Sequence, residues 1–187
     1  MRLVTSPPSS RALTDTSERG TEARCRVWYS AYGHAVYRFF RFHVDSADTA
    51  DDLTADVFLR VLEAAEDYDP GRGEVRAWVF GIARNALRDH FRRLRVRQHV
   101  AVGALRDLAT DAPSPEERLV REEEIAWLLE GVQQLGRRDR ELIGLRYGSE
   151  LSFAQIAEVL DTRETVVRTR LWRAVARLRT RLERKAL

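Results

Sequence analysis

Cysteine is almost missing. Cys25 is the single one in 187 residues, so neither an internal disulfide nor a thiolate-built metal site is possible from this chain alone. The plain reading of Cys25 is a partly buried thiol in a reducing compartment. Lysine is scarcer than expected too: Lys185 stands alone among 32 basic residues. That skew follows codon composition and argues nothing about phosphate. Five Pro and ten Gly exclude collagen-like or low-complexity character. No uninterrupted apolar window nears the roughly eighteen residues that a membrane-spanning helix needs, so direct membrane insertion is not expected. The first residues, MRLVTSPPSSRALTDTSERGTE, lack the apolar run of a secretory signal, which leaves a cytoplasmic protein as the expectation. Catalytic signatures are missing as well: there is no GxxxxGK, HExxH or GxSxG run. His34, His43, His90 and His99 are dispersed, with no pair four apart. No metal, no cofactor and no enzyme activity are expected.

What is present is a packed, helical and sharply charge-segregated chain. Hydrophobic residues make up 44%, enough for a real core, and charged residues 33%. The net charge is only +3, but Asp45–Asp69 holds nine acids against Arg60, and Arg84–Arg97 holds six Arg against Asp89. His99–Glu124 is acidic again, with seven acids and three Arg; Arg163–Lys185 carries nine bases and two acids. Two separate basic stretches suit polyanion contact at two places. An acidic stretch suits a basic protein partner. Charge alone fits solvated helix faces slightly better.

Apolar periodicity of three to four residues dominates, and no strand-like alternation competes with it. The fold class predicted is all-α: two small helical domains joined by a flexible linker. Residues 1–22, with Pro7, Pro8 and Gly20, read as a flexible tail; the first module covers 23–98, the linker 99–113 and the second module 114–187. Helices are expected over about 24–44, 48–65, 74–98, 114–134, 137–147, 153–160 and 164–184. In the second of these, Ala50, Leu53, Thr54, Val57, Phe58, Val61, Leu62 and Ala65 keep the spacing of one buried stripe, with Asp48, Asp51, Asp52, Asp56 and Glu63 opposite. The run Asp67-Tyr68-Asp69-Pro70-Gly71-Arg72-Gly73 is a turn, because Pro presets φ and Gly accepts conformations closed to other residues. The third helix carries a core stripe from Val75 to Phe91 and a basic row, Arg84, Arg88 and Arg92, spaced by four.

Ser152-Phe153-Ala154-Gln155 is a capping box. The helix it opens, a turn at Asp161-Thr162-Arg163 and the final basic helix read as a helix-turn-helix. Asp161 stands where many such turns place Gly, and Asp tolerates the left-handed conformation. Arg168 and Thr169 lie near the start of the last helix, the part that enters a major groove in such motifs. A second constellation surrounds Asn85, on a basic helix after the turn and with Tyr68, Trp78, Phe80 and Phe91 nearby. Single-strand binders join a positive groove to aromatic and amide groups that hold unstacked bases. Trp78 and Phe91 fit a core role at least as well.

Two segments resemble the extracytoplasmic-function (ECF, group 4) sigma factors of the sigma-70 family: ADTADDLTADVFLRVLEAAEDYDPGRGEVRAWVFGIARNALRDHFRR (47–93) and LGRRDRELIGLRYGSELSFAQIAEVLDTRETVVRTRLWRAVARLRTRL (135–182). The resemblance implies a sigma factor that directs promoter-specific initiation by reading the −35 duplex and capturing the melted −10 strand. It implies core RNA polymerase, through its clamp helices and flap, promoter DNA and an anti-sigma factor as partners. By matching positions, it gives Asp51, Asp52, Leu53, Asp56 and Phe58 to the polymerase-docking helix. Tyr68, Arg84, Asn85, Arg88 and Arg92 fall to the −10 element, and Arg146, Arg168, Thr169, Trp172 and Arg173 to the −35 element. The chain departs from the family where Ala55-Asp56 replaces a frequent Gln-Glu, and where Arg163-Glu164-Thr165-Val166-Val167 replaces a frequent Pro-Val-Gly-Thr-Val. A free-standing duplex-binding regulator and a polymerase-binding antagonist are the alternatives. The acidic helix followed by a base-capture turn, within 24–97, is what a simple regulator does not need.

Overall fold

A computed structural model describes residues 10–100 and 127–185. Among these residues there are seven helices, a short 3₁₀ turn and no strand. α1 spans Ser10–Arg41, α2 Ala47–Glu63 and α3 Val75–Val100, with the 3₁₀ turn at Pro70–Arg72 between α2 and α3. The fourth helix, α4, is described over 127–133. α5 spans Arg137–Ile143, α6 Phe153–Val159 and α7 Glu164–Lys185.

The expected tail and the observed helix differ. α1 starts at Ser10 rather than Arg24. Pro7-Pro8 is the last proline before Pro70, so nothing after it forbids helical φ or removes a backbone donor. Residues 1–9 of the expected tail lie outside the described residues, as do 101–113 of the expected linker and 114–126 of the expected fourth helix.

In the first module, α1, α2 and α3 pack around Val36, Phe39, Phe40, Val57, Val61, Val79 and Phe80, none of which keeps any exposure. Phe39 and Phe80 meet edge to face at 6.0 Å. Burying each of these rings stabilises the fold by about 2 kcal/mol relative to leaving it in water. Ser46 caps α2 by accepting from the Thr49 amide at 3.3 Å, and Arg24 donates to the Ala65 carbonyl beyond the other end.

In the second module, Leu142, Ile143, Leu145, Leu151, Ile156, Val167, Leu171 and Ala174 form the core. The helix expected over 137–147 changes character midway. From Gly144 to Gly148 it widens to a π-type turn, with the Ser149 amide donating to the Gly144 carbonyl at 3.0 Å. The helix-turn-helix forms as the residues demand. Ser152 and Gln155 make both bonds of the capping box, the Thr162 amide returns to the Ala157 carbonyl at 2.9 Å, and Asp161 takes φ 49°.

The modules share one core rather than standing apart. The wide turn is pressed onto α1: a Cβ on Gly144 would come 2.8 Å from the His43 ring, and one on Gly148 2.9 Å from Phe42. Polar ties ring this contact. Arg38 pairs with Glu150 at 2.7 Å, Arg84 with Glu141 at 2.7 Å, and Gln155 donates to Glu74 at 2.6 Å. Arg76 donates to the Ser149 carbonyl, and Arg140 to the carbonyls of His43, Gln133 and Leu135.

Candidate nucleic-acid interface

Three surfaces hold the residues singled out in the sequence. The first is the outer face of α2. Asp51 and Asp52 are exposed there, while Asp56 is half-buried and paired with Arg60 one turn on at 2.9 Å. Arg60 also reaches Asp89 at 3.3 Å, which ties α2 to α3. Leu53 is only 5% exposed and belongs to the core, so it supports the face from beneath. Phe58 is half-buried, edge-on to Tyr29 at 4.8 Å. Leu62, expected in the buried stripe, is 38% exposed, and Leu59, which the sequence reading did not single out, is 61% exposed. Leu59 lies at i+7 from Asp52, and Leu62 at i+7 from Ala55, so the helical period alone could have placed them beside the acids.

The second surface surrounds the turn before α3. Asp69 accepts from the Gly71 amide at 2.9 Å, and Pro70 takes the first position of the 3₁₀ turn. Tyr68 donates to the Gly73 carbonyl at 3.1 Å and packs its ring 5.2 Å from Trp78 and 5.5 Å from Trp28. Trp28 joins Trp78 at 5.6 Å, completing an aromatic triad. Beside it lies a cavity of about 470 Å³ lined by Tyr68, Trp78, Ile82 and Asn85 from the first module and by Glu158 and Val159 from the second. Asn85 is exposed and also lines a larger, Arg-rich cleft of about 1190 Å³ between the modules, together with Arg88 and Arg92. Arg84 lines the same cleft but differs from that row in its pairing. It is half-buried and its guanidinium is held by Glu141. Trp78 and Phe91 are both packed against the core while keeping one edge on these openings, and Arg137 stacks over Phe91 at 4.6 Å.

The third surface is α7 with its approach. Arg168, Thr169, Trp172 and Arg173 are all exposed on the first half of the helix, Trp172 by 74%. Arg168 is preset: it bonds Glu164 through two nitrogens at 2.9 and 2.6 Å and lies over the Phe153 ring at 4.3 Å. Thr169 turns its hydroxyl back to the Thr165 carbonyl at 3.0 Å. Arg146 is half-buried, donates to the Leu151 carbonyl at 2.7 Å and also lies over the Phe153 ring, at 4.9 Å. It therefore braces the entry to α6. Arg177 and Arg181, in register with Arg173, are tied to Asp139 and to the Gln134 carbonyl.

Among the described residues no group of three or more His, Cys, Asp or Glu is placed to hold a metal. No helix among them is long and apolar enough to cross a membrane.

The fold defines an all-helical protein of two modules, the second a capped helix-turn-helix with a basic outer face. Residues 28–97 match the family description Sigma-70 region 2, and residues 125–178 match Sigma-70, region 4. The chain is 36% identical over 184 residues to the RNA polymerase sigma factor CnrH of Cupriavidus metallidurans, covering 94% of this chain and 95% of that one. It is 34% identical over 166 residues to the ECF RNA polymerase sigma factor BldN of Streptomyces coelicolor, covering 89% of this chain; it spans 63% of that relative's length. A solved structure of the sigma factor RpoE with the anti-sigma factor NepR, from Bartonella quintana, has the same fold at a TM-score of 0.71 and 20% identity, covering 84% of this chain and 96% of that one. The chain belongs to the ECF sigma factors of the sigma-70 family.

Proposed function

We propose that this chain is a promoter-specificity subunit: it binds core RNA polymerase, reads the −35 element as duplex and captures the −10 element as a melted strand. It acts in the cytoplasm, without cofactor and without catalysing a reaction itself. The observation that carries the reading is the placement, on one chain, of an acidic α2 face, an aromatic cavity with Asn85 at its edge, and an exposed Arg168–Arg173 face on α7.

Each surface suits one partner. Asp51, Asp52 and Asp56 offer negative charge to a basic helical surface such as the polymerase clamp helices. Leu59 and Leu62 add the apolar anchor that charged docking faces need for affinity. The second module contacts the flap. The cavity beside Trp78 takes an unstacked base by stacking and by amide hydrogen bonds from Asn85, while Arg88 and Arg92 neutralise phosphates. Extruding a base costs a few kcal/mol, so binding at this cavity offsets part of strand opening. On α7, Arg173 and Arg168 suit guanine edges or phosphates, and Trp172 suits a sugar or methyl contact. Two weak DNA sites on one chain act together once polymerase fixes their separation, because the second contact is intramolecular. An anti-sigma factor holds the chain inactive, in keeping with the solved RpoE–NepR pair.

Run-off transcription tests this reading. Core polymerase with the purified chain should transcribe selected promoters that core polymerase alone ignores; equal transcription with and without the chain on every template would reject it.

A further inference from the structure

The chain departs from the frequent Pro-Val-Gly-Thr-Val run at the start of α7, and Glu164 stands in place of its first Val. Glu164 is the first residue of that helix. An acid there suits the positive end of the helix dipole, and Glu four residues before Arg is the favourable order for a surface pair. Those effects ask only that the two charges lie near each other. The observed geometry is tighter. One Glu164 oxygen, Oε1, accepts from Arg168 Nε at 2.9 Å and from its Nη2 at 2.6 Å. The same guanidinium lies over the Phe153 ring at 4.3 Å. Phe153 is set in turn by the Ser152–Gln155 capping box that opens α6. Arg168 is therefore held by a carboxylate on its own helix and by a ring on the other helix of the helix-turn-helix. Its side chain and that of Glu164 nevertheless keep 58% and 43% exposure, so the pair stays open to a ligand.

A guanidinium has one N–H donor on Nε and two on each Nη. Glu164 takes the Nε–Nη2 side, and stacking on Phe153 takes no N–H. The Nη1–Nη2 end is left with two parallel N–H groups, and that end matches O6 and N7 of guanine in a major groove. An Arg free to swing reaches a phosphate as readily, and a phosphate carries no sequence information. We propose that Glu164 is a positioning residue for promoter reading: it holds Arg168 end-on to a guanine of the −35 element and keeps it from the phosphate backbone. The inference rests on the assignment of α7 to the −35 duplex. Its sign is diagnostic. Glu164 is an acid facing a polyanion, so it lowers affinity for DNA in general while raising selectivity for one base pair.

The test uses the full chain on core RNA polymerase, a promoter selected by that complex, and a panel in which each −35 base pair is replaced in turn. Competition binding across the panel is measured for wild type, Glu164→Gln, Glu164→Ala, Arg168→Ala and Glu164→Ala/Arg168→Ala. A good bidentate Arg–guanine pair discriminates by about 5- to 150-fold. Wild type should show that preference at one G·C pair, and Arg168→Ala should lose it. Glu164→Ala should lose about fivefold or more of it, at the same pair and nowhere else. The double variant should discriminate there no worse than Arg168→Ala, because the carboxylate acts through that Arg. Glu164→Ala should also bind unrelated duplex about twofold more tightly, and log K should fall more steeply with log salt, by about one, as Arg168 takes a phosphate. Glu164→Gln keeps the shape and an acceptor oxygen without the charge, and should fall between wild type and Glu164→Ala. A Glu164 that merely stabilised α7 would weaken binding to every panel member alike and leave the salt dependence unchanged. That result, or an unchanged base profile in both Glu164 variants, would overturn the inference and leave the −35 assignment standing. Loss at a base pair that Arg168→Ala does not affect would overturn it as well. A wild-type complex with no base preference anywhere in the −35 panel would overturn both the assignment and the inference.

Discussion

His43 shows how one side chain can report on the whole assembly. It closes the C-terminal end of α1, with its Nδ1–H given to the Phe39 carbonyl at 2.7 Å, and Gly144 of the second module presses on the ring. Burial lowers its pKa from 6.5 to about 4; the Phe39 bond works against that shift, and Arg140 and Arg137 work with it. The folded protein thus holds a neutral imidazole that the unfolded chain would protonate below about pH 6.5. Stability is full above that value, falls as pH drops from 6.5 towards 4, and levels below 4, where both states are charged. The loss over this window is about 3 kcal/mol. Urea titrations at pH 7 and pH 4.5 should show it, and His43→Asn, which can keep the donor, should shrink the difference between the two. Asn85 makes a separate residue-scale prediction. It is exposed and holds up no packing, so Asn85→Ala should leave the melting temperature unchanged. It should lower promoter opening about tenfold or more while −35 binding stays within about twofold, as expected for loss of a hydrogen bond to a captured base. Equal loss of both would contradict the role assigned to it.

At the scale of elements, the capping box and the helix-turn-helix were legible because their signals are local. Ser152 and Gln155 bond each other's backbones as the sequence demands, and Asp161 takes the left-handed turn. Ser152→Ala should cost about 1 kcal/mol in thermal or urea unfolding. Arg173→Ala should weaken −35 binding by about 1–3 kcal/mol if its guanidinium meets a base edge, while Arg146→Ala should act mainly on stability, since that side chain is committed to Leu151 and Phe153. Other features were hidden for physical reasons. Periodicity marks a stripe but not its edges, so Leu62 read as buried and Leu59 passed unnoticed. The π-type turn at Gly144–Gly148 has no periodic signature; it exists because the backbone there meets α1 at contact distance. Arg84 shares the spacing of Arg88 and Arg92, and only tertiary structure separates it from them through Glu141.

At the scale of the molecule, charge segregation foretold the three surfaces but not their mutual arrangement. The acidic stretch became the α2 face, and the two basic stretches became α3 and α7. That the modules meet through Phe39, Phe42 and two glycines could not be read from either half, because each half satisfies its own apolar stripe. The α2 face should act independently of the DNA surfaces: Asp52→Arg, at an exposed position, should weaken polymerase binding by about tenfold or more and leave circular dichroism and duplex binding intact. The central claim is that one chain, held on polymerase, grips paired DNA with its second module and an opened strand with its first. Permanganate footprinting of the assembled complex, on a promoter selected by that complex, tests this most directly. Reactive, unpaired thymines should flank the first module, and they should vanish with Asn85→Ala while protection of the −35 duplex persists. A complex that protects duplex DNA yet shows no reactive thymine at any transcribed promoter would contradict the account.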